Sequence, residues 1–204
     1  MSAAGAAATA LAVAGLSAKS RSEAMEVAHL SDLFGGGGLG GVAAIAGGGG
    51  LEFRIEGGMP PRGHILHRPL VGAVLVGVVG GALPSPALLR DPRFLERVAE
   101  ASEGLEGVLA RPGPRRFFEL SEQFTDRMAL APSPLLRVLR ALRQRGAWAA
   151  QAMFGQSFFA RPRDAPHRRE VLQWLERAGI PVVELSASRT GARAARGVPA
   201  AADR

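Results

Sequence analysis

MSAAGAAATALAVAGLSA, residues 1–18, is the stretch on which the reading of the fold turns. Its Ser-Ala-Ala-Gly tract, Ser2–Gly5, opens a run of Ala and Leu that reads as a helix over Ser2–Ala18. The first amides of such a helix lack intrahelical partners and can seat a phosphate. A helix of this kind normally follows a Gly-rich turn. Here only Met1 precedes Ser2, so the chain reads as if it began in the middle of an enzyme, or as if its start lay further upstream.

Working outward, Ser20 or Ser22 is placed to cap a second helix over Arg21–Phe34, with Glu23 and Glu26 in its early turns. On that helix His29 and Asp32 are three residues apart and share a face. Phe34–Gly41 (FGGGGLGG) reads as a loop, because consecutive glycines lose too much conformational entropy in regular structure. Val42–Ala46 is short and apolar, and Leu51–Glu56 alternates like a strand. Gly57–Gly63 (GGMPPRG) breaks the chain and marks a domain boundary.

Beyond it, Leu70–Val79 reads as a buried Val-rich strand; its glycines and its length argue against a bilayer span. Asp91 caps a helix whose first residue is Pro92, running to about Ala110. Arg115–Met128 and Ser133–Arg145 are amphipathic helices. Ala147–Phe154, Gly155-Gln156 and Ser157–Ala160 read as strand, turn, strand. A helix over Ala165–Ala178 ends at Gly179, a strand follows at Pro181–Leu185, and Thr190–Arg193 is a further strand candidate. The order is α+β, and the residues after Arg193 read as a disordered tail.

Composition narrows the function classes. With 204 residues, 47% of them hydrophobic, the chain has enough apolar surface for one or two cores. The absence of cysteine excludes disulfides, thiolate metal sites and Cys nucleophiles. The formal charge is +7 and every basic residue but Lys19 is arginine. Nucleic acid is the obvious partner for such a balance. The arginines are however interleaved with acids, and no Tyr is present to stack on bases, so the charge reads as solvated surface with anion-binding positions inside it. No basic stretch precedes the apolar opening, which argues against a signal peptide.

A hydroxyl at Ser2, a carboxylate at Asp32 and a glycine loop before Val42 are parts expected around a magnesium–nucleotide. Their order carries a resemblance. SAAGAAATALA (2–12), AHLSDL (28–33), GLGGVAAIAGGGG (38–50) and LEFRIEGGMPPRG (51–63) follow one another as the matching motifs do in the GHMP kinase superfamily. The set most resembles the archaeal pantoate kinases. Gly81–Ser85 (GALPS) and Ala152–Ala160 (AMFGQSFFA) match two later motifs of that family, so the similarity runs to about Arg193.

The resemblance implies a GHMP kinase-like two-domain α+β architecture. Residues 1–63 would be the remnant of an ATP-binding, ribosomal-S5-like N-terminal domain, residues 64–193 a C-terminal α/β-sandwich domain, and 194–204 a tail. It implies a cytoplasmic, ATP- and Mg²⁺-dependent kinase of coenzyme A biosynthesis with pantoate as substrate. It implies no membrane or nucleic-acid partner and leaves homo-oligomers open. By position, Ser2, Ala3, Ala4 and Gly5 would hold the nucleotide, Ser2 and Asp32 the metal, and His29, Arg54 and Ser85 the pantoate. Arginine suits a carboxylate because its planar fork pairs with both oxygens.

The departures matter equally. The family aspartate taken to activate the acceptor hydroxyl falls at Gly41, and the family Gln at Ile45. Asp32 stands where the family has Glu, one methylene shorter. The Gly-rich loop and strands that precede the first helix in the family have no counterpart, so the apolar faces of the first two helices are expected to stay wet or to pair with another chain. Impaired activity follows, with a non-catalytic binding or interaction protein as the alternative and a basic nucleic-acid-binding module as the remaining one.

Overall fold

The computed structural model describes residues 3–17, 19–37, 40–82, 85–152 and 155–194, without the side chains of 82, 85 and 86. These form two compact units, 3–67 with 188–194, and 68–187. The division therefore falls a few residues after Gly63, and the segment from Ser188 returns to the first unit instead of ending the second.

In the first unit, α1 (Ala3–Leu16) and α2 (Arg21–Phe34) pack side by side through Ala6, Ala7, Leu11, Ala24, Met25 and Ala28. The link between them is short, so the helices are antiparallel and the end of α2 returns to the start of α1. Ser20 is the N-cap of α2 in a full capping box: its side chain accepts from the Glu23 N–H, and the Glu23 carboxylate accepts from the Ser20 N–H. Several apolar side chains of this helix pair are open in the single chain. Leu16 is 92% and Phe34 83% exposed, with Val13 and Val27 also open.

A third helix, α3 (Gly41–Gly47), covers the short apolar segment Val42–Ala46, to which the sequence assigned no element, with one glycine at each end. Burial of Val42 and Ala43, with Val42 in the α1–α2 core, outweighs the cost of its terminal glycines. Strands β1 (Leu51–Arg54) and β2 (Ile65–Arg68) form a two-stranded sheet. Thr190–Arg193 is not a strand. It lies against the end of α3, where the Ala192 N–H donates to the Ile45 carbonyl and Arg21 donates to the carbonyls of Ala192 and Ala46.

The second unit holds β3 (Ala73–Ala82), α4 (Ser85–Leu88), α5 (Pro92–Ser102), α6 (Gly107–Ala110), α7 (Pro114–Met128), α8 (Ser133–Gln144), β4 (Trp148–Gln151), β5 (Gly155–Arg161), α9 (Ala165–Arg177) and β6 (Val182–Ser186). The strands form one antiparallel sheet in the order β4-β5-β3-β6. Leu75 and Phe158 on the sheet meet Leu135, Leu139 and Leu142 of α8 and Val171 and Leu175 of α9 in the main core. Asp91 caps α5 by accepting the Arg93 N–H, ahead of Pro92.

Gly155 and Gln156, expected as a turn, are strand residues. Gly155 pairs with Ala82, and the Gln156 amide occupies the space a side chain at Gly80 would need. The Val-rich strand begins at Ala73 rather than Leu70, after Gly72 at φ 96°. The residues after Ala194, expected as a disordered tail, lie outside the described residues.

The outer edge of β4 is closed by side chains of α7 and α8. The Ala149 N–H donates to Glu122 at 2.8 Å, the Gln151 N–H to the Thr125 hydroxyl at 3.1 Å, and Arg143 Nε to the Ala149 carbonyl at 2.8 Å. Burial raises the Glu122 carboxyl above its ordinary value, against the Ala149 N–H and Arg143, which pull it down. A carboxyl raised in the fold holds its proton more tightly there than in the unfolded chain. Its contribution to stability is therefore present below the unfolded value and is lost as pH rises through the folded one. Glu122→Gln keeps an acceptor for Ala149 and removes the charge. In urea titrations its stability relative to the parent chain is expected to rise between about pH 4 and pH 7. A difference constant over that range would show that Glu122 titrates normally.

Candidate functional site

Asp32 is the most anomalous residue of the first unit. On α2 the buried positions are Ala24, Met25, Ala28 and Asp32, so a carboxylate continues an apolar stripe at i+4. It is 2% exposed, and its Oδ2 is buried with no hydrogen-bond partner among the described residues. A buried carboxylate oxygen without a donor is costly unless a cation or water meets it.

The glycine loop is shaped around this carboxylate. The Gly37 N–H donates to the Asp32 carbonyl at 2.8 Å, and a Cβ on Gly37 would stand 2.2 Å from Asp32 Oδ1. Only a glycine can lie so close. Four residues on, a Cβ at Gly41 would stand 2.7 Å from the Ala3 Cβ, so the first residue of α3 rests on the first described residue of α1. Four residues of chain span at most about 14 Å. The antiparallel helix pair and this short loop bring the end of α2, which carries Asp32, to the end of the pair where α1 begins.

Arg54 reaches the same neighbourhood from β1. A Cβ at Gly40 would stand 3.7 Å from Arg54 Nη1. Its Nη2 donates to the Gly58 carbonyl at 3.4 Å, a long bond, and its Nε is buried with no partner among the described residues. The alternation of β1 sends Leu51 and Phe53 into the core and leaves Glu52 and Arg54 on the other face. Burial raises the Glu52 carboxyl above its ordinary value, while the charges of His67 and Arg54 pull it back. The His67 ring fills the space beside Gly47, where a Cβ would fall 2.1 Å from Cε1. Gly40 and Gly47 are seven residues apart, two helical turns, so the side of α3 toward β1 and β2 is bare and leaves room for both basic side chains.

Of the residues singled out in the sequence, the fold brings Ala3, Asp32, Gly41 and Arg54 into one neighbourhood, with His29 half-buried one turn before Asp32. Ser2 lies outside the described residues. Ser85 begins α4 in the other unit, and its side chain is outside the description. Sequence reading missed Gly37, Gly40, Glu52 and the close fit of Gly41. The period-2 alternation of β1 is the signal that marks Glu52. Among the described residues no cluster of three or more His, Asp or Glu could hold a metal, and no helix is long and apolar enough to cross a membrane.

One solved structure, a phosphotransferase related to the CoA biosynthesis pathway, superposes on 93% of this chain at a TM-score of 0.78 and 26% identity. The likeness is to a phosphotransferase. It supports a pantoate kinase-like, mixed α+β fold. The match takes in 62% of that protein's chain, less than two thirds of its length. A protein from Listeria innocua superposes on 78% of this chain, and 57% of its own, at a TM-score of 0.59 and 12% identity, a likeness of fold alone. No protein-family model and no curated protein sequence matches the chain.

Proposed function

We propose that this chain is a pantoate kinase-like phosphotransferase of the GHMP superfamily, using ATP and Mg²⁺ to phosphorylate the hydroxyl of pantoate. The observation that carries the reading is the buried Asp32 carboxylate with an oxygen that has no partner among the described residues. The likeness to a CoA-related phosphotransferase supports it.

The residues fit the group. Mg²⁺ is usually held by one or two carboxylates, with phosphate oxygens and water completing the shell, so one unpartnered carboxylate oxygen suffices. When bound, the metal neutralises charge on the transferring phosphoryl group. Asp32 is the residue to hold it, with Ser2 as the second. The amides opening α1, at Ala3, Ala4 and Gly5, would face the phosphates. Arg54 offers an unspent guanidinium N–H to the substrate carboxylate, with His29 in the same unit. The acceptor oxygen would bond to the γ-phosphorus as the bond to the bridging oxygen breaks, and its proton would pass to solvent, since Gly41 carries no base.

In calorimetry, Asp32→Asn is expected to weaken magnesium-dependent ATP binding about tenfold or more, the worth of one charged ligand. ATP affinity that is the same in magnesium and in chelator would exclude the reading. Turnover with pantoate is expected to be slow or absent, because the missing base alone accounts for a factor of about 10²–10⁴. A second reading, binding without turnover, is favoured by the contact of Gly41 with Ala3, which fills the place of the family aspartate.

A further inference from the structure

The second unit contains a cavity of about 180 Å³ that the kinase reading does not use. It lies where β5 ends, β3 begins and α9 starts, and three of its lining residues are Arg161, Arg163 and Arg168. Its only acidic lining residue, Asp164, is engaged as the α9 N-cap, accepting the His167 N–H at 2.8 Å. The guanidiniums are positioned by the fold. Arg161 Nη2 donates to the Val71 carbonyl at 3.1 Å and the group lies over the Trp148 ring at 5.5 Å. Arg168 Nη1 pairs with Glu184 at 2.8 Å. Arg163 Nε points to His167 Nδ1 at 3.4 Å, and the Arg163 backbone N–H donates to the same nitrogen at 3.1 Å. His167 is 4% exposed, so a buried imidazole, accepting at Nδ1, anchors the arginine. The remaining guanidinium N–H groups have no acceptor among the described residues.

We propose that Arg161, Arg163 and Arg168 form a binding site for a phosphoryl group, inorganic or carried on a small molecule. One planar fork satisfies a carboxylate, whereas three arginines lining one cavity, one of them shared with Glu184, can offer N–H groups from several directions to a tetrahedral oxyanion. A water takes about 30 Å³, so the cavity has room for a phosphoryl group. The site is separate from the Gly81–Ser85 segment. β3 runs from Ala73 at the cavity to Ala82 at the far end, nine steps of about 3.3 Å, or roughly 30 Å. It rests on the second unit alone, so it stands or falls apart from the kinase reading.

The test is calorimetric titration of the full chain at low salt with inorganic phosphate, pyrophosphate and glycerol phosphate. Saturable binding is expected. Arg163→Gln and Arg168→Gln should each weaken it about tenfold or more, as expected for loss of a charge-assisted contact, with unchanged circular dichroism and melting. Tighter binding of glycerol phosphate than of inorganic phosphate would assign the site to a phosphorylated metabolite, and the reverse to phosphate itself. Absence of saturable binding would overturn the proposal. So would affinity unchanged in both variants, which would place the anion at α1. An Arg163-dependent affinity for duplex DNA without any for the small anions would overturn it in favour of a nucleic-acid surface.

Discussion

Phe158→Ala is expected to destabilise the unit of residues 68–187 by about 3–5 kcal/mol, the usual cost of emptying an aromatic site in a packed core. Phe158 is fully buried on β5, a central strand of the four-stranded sheet, among the leucines of α8 and the Val171 and Leu175 of α9. Its ring lies across Gly77 of β3, where a Cβ would be only 2.4 Å away. The ring thus occupies the volume that a side chain at Gly77 would need. Both tryptophans of the chain, Trp148 and Trp174, lie in this unit, so their fluorescence in urea reports its unfolding alone. The midpoint should fall far below that of the parent chain, and Phe158→Leu should recover part of the loss. A midpoint unmoved by the alanine would mean that the ring does not occupy the core.

Gly41→Asp is expected to fail as a repair. Chemistry alone suggests that returning a carboxylate to the family position would raise turnover by about 10²–10⁴, the worth of a general base. The structure argues otherwise. The new Cβ would stand 2.7 Å from the Ala3 Cβ, and neither atom belongs to a flexible side chain that can swing aside. The start of α1 or of α3 must move, at about 1–3 kcal/mol for overpacking, and the α1 amides move with it. Pantoate-dependent ATP turnover should therefore stay at the parent level, and melting of the first unit should drop. Gly41→Ala should show the same drop, which separates the steric cause from the charge. Full restoration of turnover by Gly41→Asp with unchanged melting would show that the helices part freely and that the chain is an enzyme missing one group.

The two experiments bear on different properties. The first tests the scaffold, which is independent of any activity. The second asks whether a carboxylate can be accommodated where Gly41 meets Ala3, and the 2.7 Å approach of a Cβ at Gly41 to the Ala3 Cβ speaks against it.

Much of this was legible in the residues. Ser20 with Glu23, and Asp91 with Pro92, announced the starts of α2 and α5, because capping uses side chains within three positions of the amides they satisfy. The Val-rich run of β3 was legible as a strand from its β-branched residues, but not as the buried one expected: Leu75 and Gly77 are buried, while Val78 is 52% exposed. Asp32, His29 and Arg54 could be named from motif order. The helix at Gly41–Gly47 could not be read, because five apolar residues between glycines show no helical period, and Val42 is held by the α1–α2 core. The hairpin between β4 and β5 was misplaced because Gly155-Gln156 carries a turn composition, while the ladder partner Ala82 and the gap above Gly80 draw those residues into the strand.

What the sequence determined alone is therefore local: which segments coil, where they are capped, and which side chains carry unusual chemistry. Only the tertiary structure decided that Asp32 is sealed by Gly37, that Gly41 lies on Ala3, that the chain from Ser188 returns to the first unit, and that three arginines share a cavity. Gly41 with Ala3 and Ser188 with the first unit are far apart along the chain, while Asp32 with Gly37 and the three arginines are near neighbours brought together by how their turns fold. They arise from close packing, which a local pattern of residues does not encode.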